Sequence, residues 1–257
     1  VPLITNSDDA IIYFAEPVSY NLRGKILADK SRIRAARYTN TELIMDEEDT
    51  TQQHSGTITS QAELDELYGV PLKRSLTKEI GYISEHYQAF IEKAPFVVVA
   101  TSGPEGLDSS PQNDPPGFVR VIDSKTVALP DRPGNNRLDS LRNIIRDSRI
   151  SLLFLIPGIR ETLRINGRAK ISVEPELLET FKIKGKVPKS VLIVTAENVY
   201  FQCSKALVRS RLWDADTQIP RSALPSTGEI LERLTEGEFD GAEYDRNYPE
   251  HLKRSLY

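Results

Sequence analysis

Cysteine, methionine and tryptophan each occur once in the 257 residues, and histidine three times. One cysteine, Cys203, excludes an intrachain disulfide and any all-cysteine metal cage, and it fits a reducing compartment. Lying near Lys205 at the end of an apolar run, it is expected to be a small buried hydrophobe rather than a reactive thiol. His54, His86 and His251 are not paired at metal-ligand spacing, so a zinc or iron site would need carboxylates alone and redox-metal catalysis is not expected. No apolar run reaches membrane-spanning length. The opening VPLITNSDD lacks the basic flank and apolar stretch of a signal peptide, and the expected location is cytoplasmic. With 33 basic and 37 acidic residues the net charge is −4, which leaves no global footprint for nucleic acid or an acidic membrane. A P-loop, a Gly-x-Ser-x-Gly elbow and a dinucleotide fingerprint are all missing. Any chemistry is therefore expected to reside in a bound cofactor.

What is present suits a globular protein, since 39% of residues are hydrophobic and 27% charged. The first 55 residues read as an arm: Ile11–Phe14 and Val18–Leu22 are apolar, Lys25–Arg37 is basic and helix-compatible, and Asp46–Gly56 is an acidic, unpatterned linker. The main domain is placed at residues 56–257. Ser60 and Glu63 form a capping-box pattern ahead of Leu64, Leu67 and Tyr68, and Gly69 and Pro71 end that helix. Thr77 is read as the cap of a second helix through Ile80, Ile83, Tyr87, Phe90 and Ile91, with His86 on its surface.

Six strand-like segments follow: Phe96–Thr101, Phe118–Ile122, Thr126–Leu129, Arg149–Ile156, Thr162–Val173 and Ser190–Phe201. Short helices at Arg137–Arg146 and Pro175–Lys182 are the only ones between them, an order that favours an antiparallel barrel over a doubly wound sheet. Helical signals return at Ala206–Trp213 and Thr227–Leu234, and the polar tail Phe239–Leu256 is read as a cover for a sheet edge or a partner subunit. The stretch Leu129–Ser140, LPDRPGNNRLDS, has the layout of a phosphate cradle. Pro and Gly shape a tight loop, the first N–H groups of the next helix lack internal partners, and Arg132 and Arg137 bring charge. On these residues alone an ordinary strand-turn-helix junction with surface arginines serves equally well.

Four stretches in order, Gly103–Val121, Leu129–Ile144, Pro157–Ser172 and Val199–Trp213, give the chain from about Ser60 onward a specific likeness. It resembles the flavin mononucleotide (FMN)-binding members of the pyridoxamine 5′-phosphate oxidase-related split-barrel family. The resemblance implies a mainly β fold, a six-stranded antiparallel split barrel with flanking helices, here with an N-terminal extension. It also implies a homodimer with two flavins at the subunit interface. Carried onto this sequence, Asn135, Asn136, Arg137, Arg132 and Ser140 would hold the flavin phosphate. Gly117, Phe118 and Val119 would run along the ring, with Thr162 where the vitamin-making relatives carry Gln. Lys205, Arg209 and Trp213 would reach a cofactor across the dimer interface.

Those vitamin-making oxidases carry an Arg-x-His segment that grips pyridoxal phosphate, and no histidine here has an arginine two residues before it. The expectation is an FMN-dependent oxidoreductase acting on an unidentified small molecule, with a nicotinamide donor, NAD(P)H, or an organic substrate as hydride source. It is not a true pyridoxamine phosphate oxidase. The alternatives are a non-catalytic flavin carrier or sensor and a deazaflavin-dependent reductase; haem binding is disfavoured by the isolated histidines.

Overall fold

The computed structural model describes residues 12–13, 35–39, 42–45 and 56–256. The segments Val18–Leu22, most of Lys25–Arg37, and Asp46 to Ser55 with His54 lie outside the described residues. The chain divides into two units, Val1–Val70 and Pro71–Tyr257. In the first, strands β1 (Ile12–Tyr13), β2 (Ala35–Thr39) and β3 (Glu42–Met45) form an antiparallel sheet in that order. Ala35 to Arg37, the end of the run read as helix-compatible, is thus strand, continuous with Tyr38 and Thr39, types that favour pleated pairing. Helix α1 (Gln61–Tyr68) carries the expected capping box: Ser60 Oγ accepts from Glu63 N at 3.2 Å while the Glu63 carboxylate accepts from Ser60 N at 3.3 Å.

The second unit begins with α2 (Lys73–Thr77) and α3 (Glu85–Lys93). Thr77 ends α2 rather than opening the next helix. Ile80 instead forms a backbone bridge with Val199, and Ser84 caps α3 by accepting from Tyr87 N at 3.3 Å. The intervening Gly81 interrupts the apolar periodicity that had suggested one longer helix.

Seven strands then build one antiparallel sheet: β4 (Phe96–Gly103), β5 (Gly106–Asn113), β6 (Arg120–Asp123), β7 (Thr126–Asp131), β8 (Arg149–Leu155), β9 (Thr162–Ser172) and β10 (Ser190–Gln202). Their order is β5-β4-β8-β9-β10-β7-β6, so the edge strands β5 and β6 are not joined and the barrel is split between them. The expected count was six; the extra strand is β5. Its sequence GLDSSPQN contains Pro111 and little that is apolar, because an edge strand has only one ladder to satisfy and tolerates polar side chains and proline. The segment expected to start a strand at Phe118 starts one at Arg120, and Phe118 and Val119 plug the core ahead of it.

Alternation along the central strands places Val97 and Val99, Leu152 and Phe154, Leu163 and Ile165, and Val194 and Val199 in one buried cluster, closed by Ile91 of α3 and Ile144 of helix α4 (Asp139–Arg146). On the opposite side, Ala128 and Val191 pack beneath Phe181, which follows helix α5 (Pro175–Thr180). The Arg120 guanidinium lies 4.3 Å from the centroid of the Phe181 ring. Beyond β10 come α6 (Lys205–Ser210), α7 (Thr227–Leu234) and α8 (Gly241–Ser255). The tail read as polar is thus helical, with Asp240 accepting from Glu243 N at 2.7 Å. Cys203, just outside β10, is exposed rather than buried, because the apolar alternation stops at Gln202.

Strands β9 and β10 pair with a register shift between Ala196 and Asn198. A Cβ on Gly167 would overlap the backbone carbonyl of Thr195. Gly167→Ala is therefore expected to lower unfolding stability by about 1–3 kcal/mol through overpacking, read by urea denaturation. An unchanged midpoint would show that the two strands can separate freely at this point.

Candidate cofactor cleft

The cradle stretch folds as its composition suggests, and its surroundings come from β5 and from the residues before β10. Strand β7 ends at Asp131, paired with Ser190 at the start of β10. The chain then turns through Pro133 and Gly134. Asn135 Oδ1 accepts from Arg137 N at 3.1 Å, and Asn136 and Leu138 take left-handed backbone angles, φ 59° and 60°. Leu138 is the residue preceding α4, and no side chain caps that helix, so its first N–H groups face the loop. Helix α4 is held on the sheet by Asn143, whose Nδ2 donates to Thr101 Oγ1 at 3.2 Å in a buried contact. Gly103 leaves the space that the Asn143 side chain fills.

Facing this helix start is the edge strand β5. Asp108 of β5 accepts from Ser110 Oγ at 2.8 Å and from Ser140 Oγ of α4, which ties the strand to the helix. Just past β5, the Asp114 carboxylate accepts from Arg132 Nε at 2.7 Å, with side-chain exposures of 1% and 14%. This pair fixes the exit of β7 to the exit of β5. Between these anchors lies a cleft of about 680 Å³. Its floor is apolar, Val99, Leu129 and Leu192, and its rim is polar, with Gln112 and Asn113 of β5 on one side and Lys189 before β10 on the other. That combination and size match a site for a cofactor-sized ligand.

Three cations line the cleft. Arg132 is committed to Asp114, and Arg137 donates from Nε to Asp139 at 2.8 Å in an exposed pair. Lys189 has no ion pair among the described residues, and its Nζ lies 3.4 Å from Asn136 Oδ1. Burial pushes the Asp131 carboxyl above its ordinary value, and the nearby Lys189 charge pulls it partly back.

Of the residues expected to hold a cofactor, the structure brings Arg132, Asn135, Asn136, Arg137 and Ser140 together around the cleft. The others lie elsewhere on the chain. Gly117 is exposed at φ 88°, and Phe118 and Val119 are core. Thr162 pairs with Gln202 across the β9–β10 ladder. Lys205 and Arg209 are exposed on α6, and Trp213 donates from Nε1 to Ile159 O at 2.7 Å, bracing the β8–β9 turn. Lys189, Asp131, Asp108 and the β5 residues Ser110 to Asn113 were not foreseen. The proline and acid of SSPQND could have marked a polar edge strand, but nothing in the sequence places Lys189 beside Asn136, 53 residues away.

The family model for pyridoxamine 5′-phosphate oxidase matches residues 83–203, the segment that contains all seven barrel strands and the cleft. The barrel segment is thus similar to the pyridoxamine 5′-phosphate oxidase family. No curated protein matches the chain. Among solved structures, HupZ of Group A Streptococcus is 22% identical, covering 46% of this chain and 93% of its own, with a TM-score of 0.38. An FMN-binding protein from Syntrophomonas wolfei subsp. wolfei is 11% identical over 45% of this chain and 87% of its own, TM-score 0.34. A protein related to general stress protein 26, from Clostridium acetobutylicum, is 17% identical over 46% and 85%, TM-score 0.36. Among the described residues, no cluster of three or more potential metal ligands occurs, and no helix is long and apolar enough to cross a membrane.

Two substitutions probe the cleft walls. Asp114→Asn leaves Arg132 with an uncompensated charge in a largely buried position and is expected to cost about 3–5 kcal/mol, measured by chemical denaturation; a change under 1 kcal/mol would assign the pair no structural role. The Asp131 carboxyl binds its proton more tightly folded than unfolded, so its contribution to stability falls as pH rises from the ordinary carboxylate range through its raised value. Asp131→Asn should therefore stabilise the protein at pH 7 relative to its effect at pH 4. An equal effect at both pH values would remove burial as the controlling factor.

Proposed function

We propose that the cleft binds FMN and that the protein is an FMN-dependent oxidoreductase acting on a small molecule. The observation that carries this reading is the junction of three features in one cavity: an apolar floor, an uncapped helix start and the cations Arg137 and Lys189. An apolar floor suits a planar ring, and an uncapped helix start with nearby cations suits a phosphate monoester. The residues present fit the cofactor in size, charge and shape. The likeness of residues 83–203 to the pyridoxamine 5′-phosphate oxidase family supports the same reading.

In this reading, Asn135, Asn136, Arg137 and Ser140, with the first N–H groups of α4, hold the phosphate. Arg132 lines the same end while Asp114 keeps it in place. Val99, Leu129 and Leu192 exclude water beneath the ring, and the open side of edge strand β5 offers backbone groups to its polar rim. Bound FMN supplies the hydride chemistry. No histidine, cysteine or tyrosine lines the cleft; its ionisable side chains are the three cations and the carboxylates of Asp108, Asp131 and Asp139, gathered around the cradle. Gly117, Phe118, Val119 and Thr162 are not cleft-lining in the single chain. A homodimer, in which a second copy brings Lys205, Arg209 and Trp213 to the ring, completes the proposal, as do a cytoplasmic location and a nicotinamide donor.

The absence of histidine, cysteine and tyrosine from the cleft lining favours a second reading, a flavin carrier or sensor. Titration of the purified protein with FMN, followed by flavin fluorescence, should show saturable binding, and anaerobic addition of a nicotinamide donor should bleach the bound flavin. Absence of binding would overturn the proposal, and binding without bleaching by any donor or substrate would favour the carrier. Arg137→Ala should weaken FMN binding by up to about 1.5–3 kcal/mol, the worth of a hydrogen bond to a charged group.

A further inference from the structure

We infer that Lys189 is the cation that selects a phosphorylated ligand in the cleft. This inference rests on the flavin reading above and adds to it a residue from outside the cradle motif. The three cations of the cleft differ in their commitments. Arg132 is locked by a nearly buried carboxylate, and Arg137 sits on the exposed carboxylate of Asp139. Lys189 alone among the three has no ion pair among the described residues, yet its Nζ stands 3.4 Å from Asn136 Oδ1, over the left-handed turn that precedes α4.

Its chain position makes that placement firm. The next residue, Ser190, is buried and paired with Asp131 in the β7–β10 ladder, so the lysine stem leaves from the wall of the cleft. Asp131 lies beside it without forming an ion pair, its carboxyl disfavoured by burial and steadied by the lysine charge. An ammonium on a flexible stem can turn from the Asn136 amide oxygen toward an incoming anion without breaking a rigid bidentate pair. A doubly charged phosphate monoester at the helix start satisfies Lys189 better than the Asn136 amide oxygen does, and it adds repulsion to Asp131.

The test compares FMN with riboflavin, which share the ring and differ by the phosphate, on wild type, Lys189→Gln and Asp131→Asn. Both substitutions are at or near the surface of the cleft, and unchanged thermal midpoints or better will verify folding. Lys189→Gln should weaken FMN binding about tenfold or more, the loss of one charge-assisted bond, with riboflavin affinity unchanged. Asp131→Asn should tighten FMN several-fold, again sparing riboflavin. Equal losses for both ligands, or no loss for FMN, in Lys189→Gln would overturn the inference. If wild type binds neither flavin, the flavin reading fails by itself. Inorganic phosphate then decides the lysine's role: thermal stabilisation of wild type but not of Lys189→Gln sustains it, and identical behaviour of the two proteins overturns it.

Discussion

The ion pair between Arg132 and Asp114 is the contact on which the cleft depends. It joins two chain exits, that of β7 and that of β5, which the sheet order keeps at opposite ends of the barrel's split. With the two side chains 14% and 1% exposed, the pair is screened from water far better than any other ion pair among the described residues. Everything else in the site is arranged around the fixed distance it imposes. The cradle loop can use strained left-handed positions because its first residue is tethered, and Ser140 can reach Asp108 because the helix start is brought to the edge strand.

Much of the barrel was legible because its strands alternate. Phe96–Thr101, Arg149–Ile156 and Ser190–Phe201 are rich in β-branched and large apolar residues, and each becomes a central strand whose alternate side chains enter the core. The capping box at Ser60 could be read from the spacing of serine and glutamate, because its reciprocal bonds need only local geometry. β5 escaped notice for the opposite reason. Its pattern is set by a half-open edge and not by burial, so hydrophobic periodicity carries no signal there. The second helix was read too long since Ile80 continues the apolar spacing of α3, although its backbone is spent on Val199.

The site divides along the same line. Contacts within the motif, such as the Asn135 turn and the uncapped start of α4, follow from residue types a few positions apart. Contacts that decide its electrostatics, Asp108 with Ser140, Asp114 with Arg132, and Lys189 beside Asn136, span 18 to 53 residues and depend on strand order. Both arginines of the cradle have carboxylate partners, so the cleft is closer to electrically balanced than a run containing two arginines suggests.

The polar edge strand β5 has a consequence for the protein's company. A ligand cleft bordered by an unpaired strand must remain open to a small molecule while refusing an extended peptide, since both would use the same row of backbone groups. Pro111 has no N–H to offer a further strand, and Asp108, Ser110 and Gln112 are polar where an invading strand needs apolar contact. The composition that hid this strand from sequence reading also keeps the barrel from zipping onto its neighbours.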